Sequence, residues 1–135
     1  MGHTQDFETL VRELCGRDPR YAEGAYHFVV ESLDYTMKHL GRDHETGVAR
    51  HVGGRELLDG IRLYAIQCFG PLSKSVFASW GIRRTEDFGT LVFRLIEAGQ
   101  LSRQDSDSMD DFSGGYDFHQ AFVRDYELDV VDARI

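Results

Sequence analysis

Phe7, Leu10, Val11 and Leu14 recur at i, i+3, i+4 and i+7, which places them on one stripe of an α-helix. Thr4 stands where a capping side chain belongs and Gly16 where a helix stops. The next segment, "RDPRY", puts Asp18 at a cap and Pro19 at a first helical position, so a second helix is expected from there to about Leu40, with Gly41 behind it. Ala22, Ala25, Tyr26, Val29, Leu33, Met37 and Leu40 form its main face, and Phe28, Val30 and Tyr35 spill onto others. A helix apolar on more than one side belongs at the centre of its domain.

After the polar connection 41–53, Leu57, Leu58, Ile61, Tyr64, Ala65, Cys68 and Phe69 keep helical spacing until Gly70-Pro71. A fourth helix follows, with Leu72, Val76, Phe77 and Trp80 expected to face inward. Gly81 suits the left-handed residue after that helix, and Ile82 the apolar fold-back of a Schellman end. Thr85 is expected to cap a fifth helix carrying Phe88, Leu91, Val92, Leu95 and Ile96, closed by Gly99. Beyond Leu101 the chain turns polar, acidic and rich in Ser and Gly, a loop by composition. A short helix is expected around residues 118–123, while Tyr126, Leu128 and Val130 alternate as in a short β or extended piece. The pattern therefore predicts a mainly α fold: a compact bundle of about five helices with a helix-turn-helix-like corner in its second half. The 135 residues form a single domain, with a core over about 4–101, an acidic loop 102–117 and a C-terminal strap 118–135.

Composition adds compartment and charge. No apolar run approaches the ~18 residues that a membrane span needs, so no membrane is expected. Cys15 and Cys68 lie far apart on apolar stripes and read as buried free thiols, which suits a cytoplasmic protein. The net charge is −8, and residues 103–135 carry 3 basic against 9 acidic side chains. The rest of the chain is nearly neutral, and neither part offers the clustered Lys and Arg that a polyanion demands.

The segments "DPRY" (18–21), "RHVGGRELLDGIR" (50–62), "FGPLSKSVFASWGI" (69–82) and "TEDFGTLVFRLIEAGQLS" (85–102) together resemble a Minf-type family of small uncharacterised bacterial proteins. That resemblance spans roughly residues 5–130. The family's pattern has Ser where this chain has Gly53 and often Asn where it has Arg94. The resemblance implies a bacterial source and no particular chemistry.

Three residue sets could bind something. In "ARHVGGRE", Gly53 and Gly54 let backbone amides approach an anion, while Arg50, His51 and Arg55 supply charge. The competing reading makes the glycines a turn and pairs the arginines with Asp43 or Glu45. His39, Asp43, His44 and His51, with Glu45 among them, hold metal-ligand chemistry without a recognised spacing. The acidic stretch from Asp105 also lacks the calcium-loop pattern, since Met109 and Asp110 stand where a ligand and a Gly are needed. Arg83, Arg84, Arg94 and Arg103 would be the phosphate contacts of a winged-helix-like regulator. Phe77 and Asp87 break the usual turn pattern, however, and Glu86, Asp87 and Glu97 would repel DNA.

No catalytic motif is present and no cofactor is expected. The expectation is a non-catalytic module that binds a protein partner or itself; beside the acidic loop, Tyr116, Phe118, Phe122 and Tyr126 either anchor that partner or, the more expected role, strap the tail across the five-helix core. The alternatives are a small anion or phosphate-ligand binder using residues 50–55 and, disfavoured by charge, a nucleic-acid-binding regulator.

Overall fold

A computed structural model describes residues 6–104 and 107–125. Its five α-helices are α1 (Phe7–Arg17), α2 (Glu23–His39), α3 (Gly54–Phe69), α4 (Ser73–Ser79) and α5 (Thr85–Glu97). Short 3-10 turns occupy Gly47–Arg50, Gly70–Leu72 and Met109–Phe112, and a π-helical turn spans Gln120–Arg124. Among the described residues there is no strand, and no helix is long and apolar enough to cross a membrane. The fold is all-α and compact; the alternating piece at 126–130 and the Thr4 cap lie outside the described residues.

Interior stripes match the periodicity. Leu10, Val11 and Leu14 of α1, Ala25, Tyr26, Phe28 and Val29 of α2, and Phe88, Leu91 and Leu95 of α5 are buried. At the centre lies Phe77, fully buried, with ring centroids of Phe28 and Phe88 at 5.3 Å, Phe122 at 5.5 Å and Phe118 at 5.6 Å. Trp80 flanks this cluster, 5.7 Å from Phe28 and 5.8 Å from Phe69. Its indole lies against α2 at Gly24, where a Cβ would come within 2.7 Å of the ring.

Element ends depart from expectation where tertiary partners outbid local signals. Gly16 does not stop α1, which continues through Arg17. The second helix begins at Glu23, not at Pro19. Residues 18–22 instead cross the bundle: Asp18 accepts the Arg20 N–H at 3.0 Å and takes the Arg94 guanidinium, and the Ala22 N–H donates to the Trp80 carbonyl at 3.1 Å. Leu72 faces solvent, 64% exposed. It belongs to the 3-10 turn, and Ser73 takes the inward place, its hydroxyl donating to the Ala65 and Gly70 carbonyls at 3.0 and 2.8 Å. Cys68 is likewise exposed, and Cys15 is only half-buried.

The α4–α5 corner has the expected Schellman end: Gly81 N–H to Ala78 O at 3.1 Å and Ile82 N–H to Phe77 O at 2.9 Å. Gly81 has φ +88°, and a Cβ there would fall 2.3 Å from the Arg20 carbonyl oxygen, so both conformation and space demand glycine. Thr85 is not the cap. Asp87 supplies it, Oδ2 accepting the Arg83 and Arg84 N–H groups at 2.8 and 3.2 Å. The Thr85 hydroxyl is spent on the C-terminal quarter, donating to Phe112 O at 2.7 Å and accepting the Gly115 N–H at 3.1 Å.

The described part of that quarter, through residue 125, carries more structure than its composition suggests. Ser108 opens the Met109–Phe112 turn, its Oγ accepting the Asp110 N–H at 3.1 Å while Asp111 accepts the Ser108 N–H at 3.2 Å. Phe118, Ala121 and Phe122 are buried, and the half-buried Tyr116 donates its hydroxyl to Leu58 O at 2.8 Å.

Candidate functional site

Three helices leave a recess of about 550 Å³ where their packing ends. Leu33 and Met37 of α2, Leu57 of α3, and Val92, Phe93 and Ile96 of α5 make its apolar walls. Polar residues reach the mouth from two connections: Arg50 and His51 ahead of α3, and Gln100, Ser102, Gln104 and Asp107 after α5.

One wall depends on a wedge. Phe112, buried, sits between the first turn of α3 and the middle of α5. A Cβ on Gly54 would come within 3.0 Å of its ring and 2.7 Å of Asp111 Cβ, and a Cβ on Gly89 within 2.9 Å of the ring. Neither helix could carry a side chain there without expelling the wedge.

Hydrogen bonds fix the mouth. His51 Nε2 lies 2.9 Å from Asp107 Oδ1; a carboxylate can only accept, so Nε2 carries the proton. Asp107 Oδ2 accepts the Gln104 N–H at 2.8 Å, which ties the residues after α5 to those before α3. Beneath them Arg42 donates to Glu56 Oε1 at 2.8 Å and to His51 O at 3.0 Å, and Glu56 accepts the Gly53 N–H at 3.1 Å. The Arg42 hydrogen bond holds the Glu56 carboxyl below its usual range, with the Gly53 amide adding to the effect and burial opposing it.

The anion set is thus divided. Arg50, His51 and Gly54 line the recess, Gly53 has given its amide to Glu56, and Arg55 is exposed and outside the lining. Among the described residues neither Arg50 nor Arg55 pairs with Asp43 or Glu45.

The metal set is not brought together among the described residues. His39 stacks on Tyr35 with ring centroids 5.9 Å apart, His44 is exposed beside Asp43 at 3.6 Å, and His51 belongs to Asp107. No group of three or more His, Cys, Asp or Glu suited to a metal ion occurs among the described residues.

Nor do the four arginines share a phosphate-reading face. Arg94 donates to Tyr26 at 3.0 Å, binds Asp18 and lies 5.3 Å over the Tyr21 ring, so its charge is consumed inside the fold. Arg103 packs 5.3 Å over Phe93. Arg83 and Arg84 are exposed at the opposite end of α5, about 15 Å from the level of Phe93 and Arg94 by helix rise. Asp87, expected to repel phosphates from a solvent-facing first turn, is 4% exposed and faces inward.

Tyr116, Phe118 and Phe122 pack on one another at 5.5–6.1 Å, Phe118 and Phe122 against Phe77 as well; Tyr126 lies outside the described residues. From sequence the recess walls read only as helix stripes and Asp107 only as part of a stretch that fails the calcium pattern, and Phe112 was not singled out. Gly54 at the start of α3, Gly89 inside α5 and one phenylalanine in an acidic stretch were the available signals. Comparison with protein-family models, curated proteins and solved structures finds no match to this chain.

Proposed function

We propose that this protein binds a small, largely apolar organic molecule in the recess between α2, α3 and α5. The observation that carries the reading is a cavity of about 550 Å³ with apolar walls from three helices and polar residues from the segments before α3 and after α5. Ligand sites have this anatomy and a volume of roughly 300–1,000 Å³. What supports this over an interaction module is that Phe118 and Phe122, two of the anchors which that reading requires, are buried in the core. The proposal keeps the small-ligand alternative, with Arg50, His51 and Gly54 at the mouth and the walls added.

A thermal-shift titration with medium-chain amphiphiles tests it. A ligand that binds only the folded chain raises stability by about 2.7 kcal/mol at a hundred times its Kd, so Tm should climb with concentration. Ile96→Trp puts an indole into the recess from the α5 wall and should abolish the climb while leaving the helical circular dichroism intact. A wild-type Tm indifferent to every amphiphile, or a rise retained in Ile96→Trp, refutes the proposal.

A further inference from the structure

We infer that the ligand ends in an oxyanion, a carboxylate or a phosphate monoester, held at the mouth by the Arg50 guanidinium beside His51. This rests on the reading of the recess as a ligand site. The acidic groups at the mouth are already engaged. Asp107 gives one oxygen to His51 and the other to the Gln104 N–H. Asp111 accepts the Ser108 N–H and stands against Gly54. Each Asp107 oxygen already has a partner, so a cationic ligand end would have to share them with His51 and the Gln104 N–H.

Arg50 is the opposite case. Among the described residues it is the only arginine or lysine in the lining, it is exposed, and its side chain makes no ion pair. A guanidinium presents paired N–H donors whose fork matches the two oxygens of a carboxylate or phosphate. The amide end of α3 adds little attraction, because Glu56 already accepts the Gly53 N–H and Asp111 sits against the first turn. The pull on an anion is therefore assigned to Arg50, with the apolar walls receiving the remainder of the molecule.

Four ten-carbon probes separate the head from the body: decanoate, decyl phosphate, decanol and decyltrimethylammonium, titrated calorimetrically below their micelle concentrations. Decanoate and decyl phosphate should bind at least about tenfold more tightly than the other two, and their ratio tells which oxyanion fits better. Arg50→Gln, an exposed change, should remove that advantage and leave decanol affinity unchanged. If decanol or the ammonium binds as tightly as the anions, or if Arg50→Gln leaves anion affinity unaltered, the anionic end is wrong and the recess stands. If no probe binds the wild-type protein, both readings fall.

Discussion

Asp87 shows how far a residue's role can depart from its local surroundings. Two residues after Thr85 at the start of a helix, it looks like any acid favoured by the helix dipole. In the fold its Oδ1 receives the Tyr21 hydroxyl at 2.6 Å and the Arg20 guanidinium at 2.9 Å, while Oδ2 receives two backbone amides. The partner hydroxyl lies 66 positions away, so no window on the sequence contains the pair. Asp87→Asn keeps the shape but removes the charge and turns one acceptor into a donor facing donors. Urea unfolding should register a loss of about 2–4 kcal/mol, against about 1 kcal/mol for Tyr21→Phe. A loss below that of Tyr21→Phe would mean that Asp87 is not the hub. Glu56 yields a prediction about acid. Its folded pKa lies below the ordinary 4.5 because Arg42 hydrogen-bonds it, so the ionised form is the one the fold prefers. Its stabilising contribution is complete above about 4.5 and is lost as pH falls through the depressed value. Glu56→Gln should flatten the acid limb of a stability-against-pH curve and leave the neutral-to-alkaline limb parallel to wild type.

At the scale of elements, the stripes of α1, α2, α3 and α5 were legible because burial on one face repeats every three to four residues and needs no knowledge of partners. Ends were less legible. Pro19 is a good helix opener, yet Asp18, Tyr21 and Ala22 are claimed by Arg94, Asp87 and Trp80, and together these partners outweigh one local signal. Glycines show the same contrast. Gly81 needs both its left-handed backbone and the absence of a side chain, whereas Gly16 lies in α1 with nothing within 4 Å of the place a Cβ would take. Gly81→Ala should cost about 1–3 kcal/mol, and Gly16→Ala should add about 0.5–1 kcal/mol by removing backbone freedom from the unfolded chain. Paired melting curves decide both; equal effects would contradict the account. Phe112→Ala withdraws the wedge from Gly54 and Gly89 and should cost about 3–5 kcal/mol, a large penalty for a residue in a stretch that reads as loop.

For the whole molecule, the recess was hidden because its lining comes from residues 33 to 112, and only the mouth at 50–54 carried a compositional hint. The acidic C-terminal quarter reads as solvated from its charge. Its apolar minority, Phe112, Tyr116, Phe118 and Phe122, is what the core takes up, and four aromatics among many polar neighbours are easily averaged away. Arg50 escapes the same averaging in the opposite direction: with acids on either side of it in sequence, it pairs with none of them among the described residues. The position of Trp80 has a practical consequence. It is the chain's one tryptophan and it lies at the α2–α4 end of the aromatic cluster, whereas the recess opens beside the C-terminal half of α5. Its emission is therefore an optical reporter remote from the ligand. Saturating the recess should leave the native spectrum unchanged and shift only the urea concentration at which the spectrum collapses, so that one intrinsic fluorophore separates binding at the site from cohesion of the core.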